Sequence, residues 1–252
     1  MLTKNQVKWI LSFSQKKVRD TENSFVAEGD KLVGDLLPLM HCRFLVATSD
    51  FLSAHASLLT ADVIIETTKE DVCRASQLNA PQSVVAVFSK PDAEIRNENF
   101  GNGLTIVLDR IQDPGNLGTI VRIADWFGIK RIVCSNDTAD VFNCKTVQAT
   151  MGAVGRVKVF YVDVVDFLKS QPKNLPVYGT FLEGENIYNS SLTDNGFIIM
   201  GNERKGVSAE VAKLVNKKLF IPNYPKDSET SESLNVAVAT AITCSEFRRR
   251  MV

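Results

Sequence analysis

Net charge is the first thing this chain lacks. Lys+Arg and Asp+Glu both number 29 in 252 residues, so the formal charge at pH 7 is zero. That excludes a uniformly basic coat of the kind that grips nucleic acid without specificity, and leaves only local patches. Four are visible: Lys16-Lys17 with Arg19, Arg204-Lys205, Lys217-Lys218 and Arg248-Arg249-Arg250. Taken alone, each reads first as solvated surface. Histidine is scarce: His41 and His55 are too few for a His-rich metal site or an obvious Ser/His triad, and no other metal-ligand cluster is present. Cys42, Cys73, Cys134, Cys144 and Cys244 form no C-x-x-C pair, so reduced core thiols are expected rather than a disulfide framework. No apolar run nears the roughly 18 residues of a membrane span, and no apolar stretch follows a basic start. The expectation is a soluble, cytoplasmic protein with no membrane partner. Repeats and low-complexity segments are also absent.

What the chain does have is enough apolar content, 44 %, for a proper core in one large domain or two small ones. A polar, Gly/Asn-rich stretch from Pro91 to Gly103 separates two apolar strands and divides the chain. We expect domains at 1–95 and 103–252. In the first, helix-like 4–14, 29–37 and 69–78 alternate with strand-like 44–47, 63–65 and 84–88. In the second, strands at 104–108, 131–134, 157–162, 177–181, 197–200 and 219–221 alternate with helices at 117–127, 144–151, 164–169, 209–215 and 233–249. Continuous apolar strands alternating with helices predict a parallel sheet covered on both faces. Ligands on such sheets sit beyond the carboxyl ends of the strands, which points to the loops after Leu108, Met200 and Ile221.

Three segments carry chemistry. In the first, a strand ends at Leu108, a Pro114-Gly115 turn follows, and Asn116 lies at a helix opening. Arg122, six residues on, either snorkels out of an apolar helix turn or aims its fork of donors at an anion. Gly115-x-x-Gly118 with Asp137 about twenty residues later invites a dinucleotide reading, but the full G-x-G-x-x-G fingerprint is missing. In the second, an apolar strand runs into Gly201-Asn202-Glu203 and Gly206. The two glycines would allow close backbone approach to a ligand, and Glu203 between them would face whatever fills the loop. In the third, Ile221-Pro222 leads through a polar loop to Ser233-Leu234-Asn235 and a small-residue helix. A helix start suits polar or anionic ligand edges, and Ser there is also ordinary capping chemistry.

Together these segments resemble the SpoU/TrmH family of SPOUT methyltransferases. The carrying residues are Asn116 and Arg122; Gly201, Glu203 and Gly206; and Ile221, Pro222, Ser233, Leu234 and Asn235. Gln148–Ala153 is similar to a further family stretch, with Thr150 where Ser is common. Lys17, Arg19 and Phe25-Val-Ala-Glu-Gly29 resemble the family's ribosomal-protein-like substrate domain. The chain departs from the family in reading Ile-Pro-Asn-Tyr-Pro where Ile-Pro-Met is usual, and in the long acidic loop to Ser233.

The resemblance implies a knotted parallel-sheet methyltransferase domain behind a small α/β RNA substrate-binding domain. It implies S-adenosylmethionine as cofactor, a ribose 2′-hydroxyl of RNA as acceptor, and a homodimer. Arg122, Asn116, Glu203, Ser233 and Asn235 would be catalytic. Thr180, Gly201, Asn202, Gly206, Ile221, Pro222 and Leu234 would hold the cofactor, and Lys17 and Arg19 the RNA. Ribosomal RNA is the leading substrate, with transfer RNA or a non-catalytic RNA-binding role as alternatives; neither the nucleotide nor the action of Arg122, as base or phosphate anchor, follows from the sequence.

Overall fold

A computed structural model describes residues 2–92, 94–225 and 232–249. The chain forms two compact units, Met1–Asp92 with Asp140–Arg156, and Ala93–Ala139 with Val157–Val252. In order, the elements of the first stretch are α1 (Lys4–Ser12), α2 (Lys16–Thr21), β1 (Ser24–Glu28), α3 (Asp30–Leu36), β2 (Cys42–Ala47), α4 (Ser49–Ala54), β3 (Val63–Glu66), α5 (Lys69–Ala75) and β4 (Val84–Ser89). Then follow β5 (Leu104–Asp109), α6 (Pro114–Trp126), β6 (Arg131–Ser135), α7 (Cys144–Thr150), β7 (Lys158–Val162), α8 (Val164–Ser170), β8 (Val177–Asn186), β9 (Gly196–Gly201), α9 (Ala209–Ala212), β10 (Lys217–Phe220) and α10 (Val236–Arg249).

The first unit holds a mixed four-stranded sheet in the order β1-β4-β2-β3, with β4 antiparallel to both neighbours and β2 parallel to β3. Helix α1 starts with a capping box, in which Thr3 and Gln6 satisfy each other's backbone N–H groups. Arg19 is 2 % exposed. Its guanidinium donates to the carbonyls of Phe13 (2.6 Å) and Ser14 (2.9 Å) and to Asp140 Oδ2 (2.6 Å). The Phe142 ring packs on that of Phe25, tilted by 35° at 4.9 Å, and the Gln148 side chain donates to the Glu28 carbonyl at 2.7 Å. The 140–156 segment, which the sequence groups with the later strands, thus completes the core beneath β1.

The second unit is a six-stranded sheet, β10-β8-β9-β5-β6-β7, with every described pairing parallel. β5 is buried along its whole length, as the uninterrupted apolar run Leu104–Leu108 requires of a central strand. The chain winds outward from β5 through β6 to β7, then crosses to β8 and returns to β9 beside β5. The strand order therefore reverses between β5 and β9, and sheets of this kind take ligands beyond the carboxyl ends of the strands at such a point. Helix α6 is launched there, with Asp113 accepting the Asn116 N–H and Pro114 in its first turn. α10 packs on α6. Its Val236, Thr240 and Thr243 are buried within this chain, and Ala239 is half-buried. No helix among the described residues is long and apolar enough to cross a membrane.

Candidate active site

Two loops interlock beyond the ends of β5 and β9. After β9, Asn202 and Gly206 pair backbone to backbone in both directions, closing a tight hairpin (3.0 and 2.9 Å). Gly206 has φ +66°, a left-handed conformation that glycine adopts at little cost. Gly201 is needed for a different reason. A Cβ there would lie 2.2 Å from the Val207 nitrogen, so the loop itself fills the space that sequence reasoning reserves for a ligand.

The hairpin turns Glu203 back toward the start of α6. Its carboxylate accepts from the Gln112 and Asp113 N–H groups (3.4 and 3.3 Å) and from Asn116 Nδ2 (3.1 Å). Asn116 Oδ1 in turn accepts from Asn235 Nδ2 at 3.0 Å. Asn235 Oδ1 accepts the N–H groups of Ala237 (2.9 Å) and Val238 (3.3 Å), which makes Asn235 the cap of α10. The sequence places that opening at Ser233, but the apolar face begins only with buried Val236 and Ala237, so the cap falls one residue before them. One chain of hydrogen bonds, Glu203–Asn116–Asn235, thus joins all three sequence segments.

Arg122 and Ser233 stand outside that chain. Both are exposed, and among the described residues neither side chain has a hydrogen bond or ion pair. Arg122 lies on α6, on its face away from buried Leu117, Ile120, Val121 and Ala124, with exposed Thr119 and Trp126 three and four residues to either side. It therefore snorkels into solvent with its donors free.

The expected cofactor residues fall around the ends of β8, β9 and β10, which lie side by side. Thr180 donates its hydroxyl to the Ile199 carbonyl at 3.2 Å, starting an excursion of β8 that carries exposed Leu182 before pairing with β10 resumes at Glu185. Ile221 and Pro222 are half-buried just after β10, and Leu234 is 48 % exposed before α10. Asn202 differs from expectation, since its side chain is fully engaged within the loops. The acidic part of the third loop, 226–231, lies outside the described residues. Lys17 is exposed on α2, as an RNA contact must be. Arg19 is not, and its buried fork has no face left for a phosphate.

Sequence reasoning missed Asp109 and Arg110. Asp109, 3 % exposed, accepts the Ser208 N–H at 2.6 Å, and the Arg110 carbonyl accepts from Asn202 Nδ2 at 2.7 Å. The signal available was their place at the end of the central strand. A cleft of about 330 Å³ lies on the other side of these two residues, lined also by Ser135, Asp137 and Asp163, and it includes none of Asn116, Glu203 or Asn235.

The SpoU rRNA methylase family profile matches residues 103–245. The chain belongs to this family. The SpoU segment starts at β5 and ends within α10, so it contains the whole hydrogen-bonded chain. A second profile, the MRM3-like substrate binding domain, matches residues 4–86. A curated relative, 23S rRNA (guanosine(2553)-2′-O)-methyltransferase RlmP of Bacillus subtilis, is 31 % identical over 237 residues, covering 92 % of each chain. A solved structure from Porphyromonas gingivalis, assigned to the TrmH family of RNA methyltransferases, superposes with a TM-score of 0.89 at 42 % identity over 99 % of each chain. An AdoMet-bound rRNA methyltransferase from Sinorhizobium meliloti gives 0.87 at 30 % identity, covering all of this SpoU chain and 97 % of the other.

Proposed function

We propose that this SpoU protein transfers a methyl group from S-adenosylmethionine to a ribose 2′-hydroxyl of ribosomal RNA. The observation that carries the reading is the Glu203–Asn116–Asn235 chain, together with the exposed Arg122 side chain six residues further along α6. The first is a preorganised polar wall, and the second is a cation free to take a phosphate. The whole-length likeness to an enzyme named for 2′-O-methylation of 23S rRNA supports the substrate class.

The chain's own residues fit the cofactor. Thr180, the Gly201–Gly206 hairpin, Ile221-Pro222 and half-exposed Leu234 border a region where three parallel strands end, offering apolar surface and backbone polar groups together. A Cβ at Gly206 would meet nothing within 4 Å, so the hairpin has open space beside it. When bound, the cofactor supplies an electrophilic methyl on a sulfonium. The ribose hydroxyl would take that methyl, the neutral thioether would leave, and the hydroxyl proton would pass to solvent. Arg122 is not the acceptor of that proton, because a guanidinium stays protonated in proteins. It anchors a target phosphate and orients the hydroxyl for in-line attack. Asn116, fixed between Glu203 and Asn235, lines the approach, and exposed Ser233 offers a further hydroxyl at the rim. Lys17 adds a phosphate contact from the substrate-binding domain, with 1–95 and 103–252 as the two functional domains.

We infer a homodimer as well. Trp126 on α6 is 84 % exposed and Val238 on α10 is 49 % exposed, and these two helices pack on each other, which offers apolar side chains to a second copy. A knot formed by the C-terminal segment is supported by the return of the chain from β10 at the sheet edge to α10 against α6, and stands with these readings as a rare exception to unknotted folds.

Calorimetry with S-adenosylmethionine and with NAD tests the cofactor. Binding of the first alone is expected; binding of NAD alone would restore the dinucleotide reading and remove this one. Arg122→Ala should lower single-turnover methylation by roughly 30- to 1,000-fold, the effect of losing about 2–4 kcal/mol of transition-state contact. Cofactor affinity should be unchanged. Normal turnover by that variant at saturating RNA would refute the anchoring role.

A further inference from the structure

We infer that Asn202 is a positioning residue for the catalytic wall, acting as the pin that locks the Glu203 hairpin to a strained carbonyl at the end of β5. The inference rests on the methyltransferase reading above and assigns Asn202 a role other than cofactor contact.

Every polar group of Asn202 is used inside the two loops. Its Oδ1 accepts the N–H groups of Arg204 and Lys205, both at 3.0 Å. Its Nδ2 donates to the Arg110 carbonyl at 2.7 Å and reaches Glu203 Oε2 at 3.4 Å. Its backbone N–H and carbonyl are both paired with Gly206. The acceptor side of the amide therefore shapes the hairpin, and the donor side ties the hairpin to β5.

The partner carbonyl is held in place at a conformational cost. Arg110 has φ +62°, a left-handed backbone that a residue with a Cβ adopts only when its surroundings demand it. Those surroundings are visible. The Arg110 N–H donates to Ser135 Oγ at 2.8 Å, and its Nε lies 3.2 Å from Asp109 Oδ1. Asp109 Oδ2 meanwhile holds the Ser208 N–H beyond the hairpin. β5 thus grips the second loop at Asn202 and at Ser208, and Glu203 sits between the two grips. Release of the Asn202 contact would let Glu203 swing away from Asn116, and Asn116 and Asn235 would lose their fixed partner. Backbone strain at a position whose carbonyl serves a loop bearing Glu203 fits a functional constraint better than a general contribution to folding.

The test uses Asn202→Asp and Asn202→Ala in the full chain. Asn202→Asp keeps the acceptor for Arg204 and Lys205 but, when ionised, has no donor for the Arg110 carbonyl. The new carboxylate would face Glu203 directly. Asp109, Asp113 and the guanidinium of Arg110 surround the same loops, while the Arg204 and Lys205 side chains point to solvent. Repulsion from Glu203 favours the protonated form, whose O–H can donate to the Arg110 carbonyl again. Activity relative to the unmodified chain should therefore rise as pH falls.

We expect single-turnover methylation at saturating RNA and cofactor to drop about 100-fold for both variants at neutral pH, as for a displacement of about 1 Å at a reacting centre. Asn202→Asp should begin to recover that loss as pH falls from about 9 toward about 5, and Asn202→Ala should not. Calorimetric affinity of Asn202→Asp for S-adenosylmethionine should stay within about threefold, since that variant keeps the acceptor that shapes the hairpin. Identical pH profiles for the two variants and the unmodified chain would overturn the inference. So would full activity per folded molecule with only a lower melting temperature, which marks a purely structural role. A cofactor-affinity loss matching the rate loss would also overturn it and return Asn202 to the cofactor site. If the unmodified chain binds the cofactor yet methylates no RNA, it is the parent reading that fails instead.

Discussion

Glu28 is 3 % exposed at the end of β1, and burial pushes its carboxyl above the ordinary 4.5, only partly offset by hydrogen bonds from Ser76 and the Gln77 backbone. The folded chain holds this proton more tightly than the unfolded chain. Its contribution to stability is therefore present below the unfolded value and is lost as pH rises through the folded one. Glu28→Gln, which cannot ionise, should gain stability relative to the unmodified chain as pH rises above about 4.5, measured as the difference between urea midpoints. Parallel midpoints across that range would contradict the assignment. Thiols give a second prediction. Burial raises Cys42 and Cys244 to about 12, Cys144 to about 11, and Cys134 as well, whereas Cys73 is exposed. A thiol reagent at mild alkaline pH should label Cys73 rapidly and the other four only on unfolding; fast labelling of two or more sites in the folded chain would refute this. The same contrast explains what was legible at this scale. Glu203, Asn116 and Asn235 could be named from their motifs because their spacing to glycines and strand ends is local. Arg19 looked like Lys17 because its partner, Asp140, lies 121 residues away and leaves no local mark.

Among the elements, the six parallel strands could be read because each is a short apolar run bounded by turn residues. Helix α2 and strand β1 were not singled out: α2 is six residues rich in Lys and Arg, and β1 is five residues buried on both faces with no alternation to count. The register of α10 was missed by two residues because Ser and Asn both cap well, and only the first buried pair decides between them. The two hairpin glycines allow a sharper test. Gly201→Ala places a methyl against the Val207 backbone, an overpacking that typically costs about 1–3 kcal/mol. Gly206→Ala meets open space and should cost only the left-handed backbone penalty, about 1–2 kcal/mol. Gly201→Ala should thus lose melting temperature, cofactor affinity and activity together, and Gly206→Ala should retain more of each. The reverse order, in calorimetry and thermal melts, would mean that Gly201 is required by the ligand and not by the loop.

At the scale of the whole molecule, the alternation of strands and helices made the parallel sheet and the small leading unit legible. The grouping of 140–156 with that unit was not, because it depends on packing between β1 and α7, more than a hundred residues apart. Assembly gives the next prediction. Light scattering at micromolar concentration should report twice the 27.8 kDa chain mass, and Trp126→Glu should shift it toward the single mass. A monomer that still methylates RNA would refute the dimer. The central claim is tested most directly by incubating the chain with isotopically labelled S-adenosylmethionine and ribosomal RNA, then hydrolysing the RNA in alkali. A methylated 2′-oxygen cannot attack its neighbouring phosphate, so the account predicts label confined to one alkali-resistant dinucleotide, appearing roughly 30- to 1,000-fold more slowly with Arg122→Ala. Label that alkali releases in mononucleotides, and so on a base, or no transfer to ribosomal RNA at all, would contradict it.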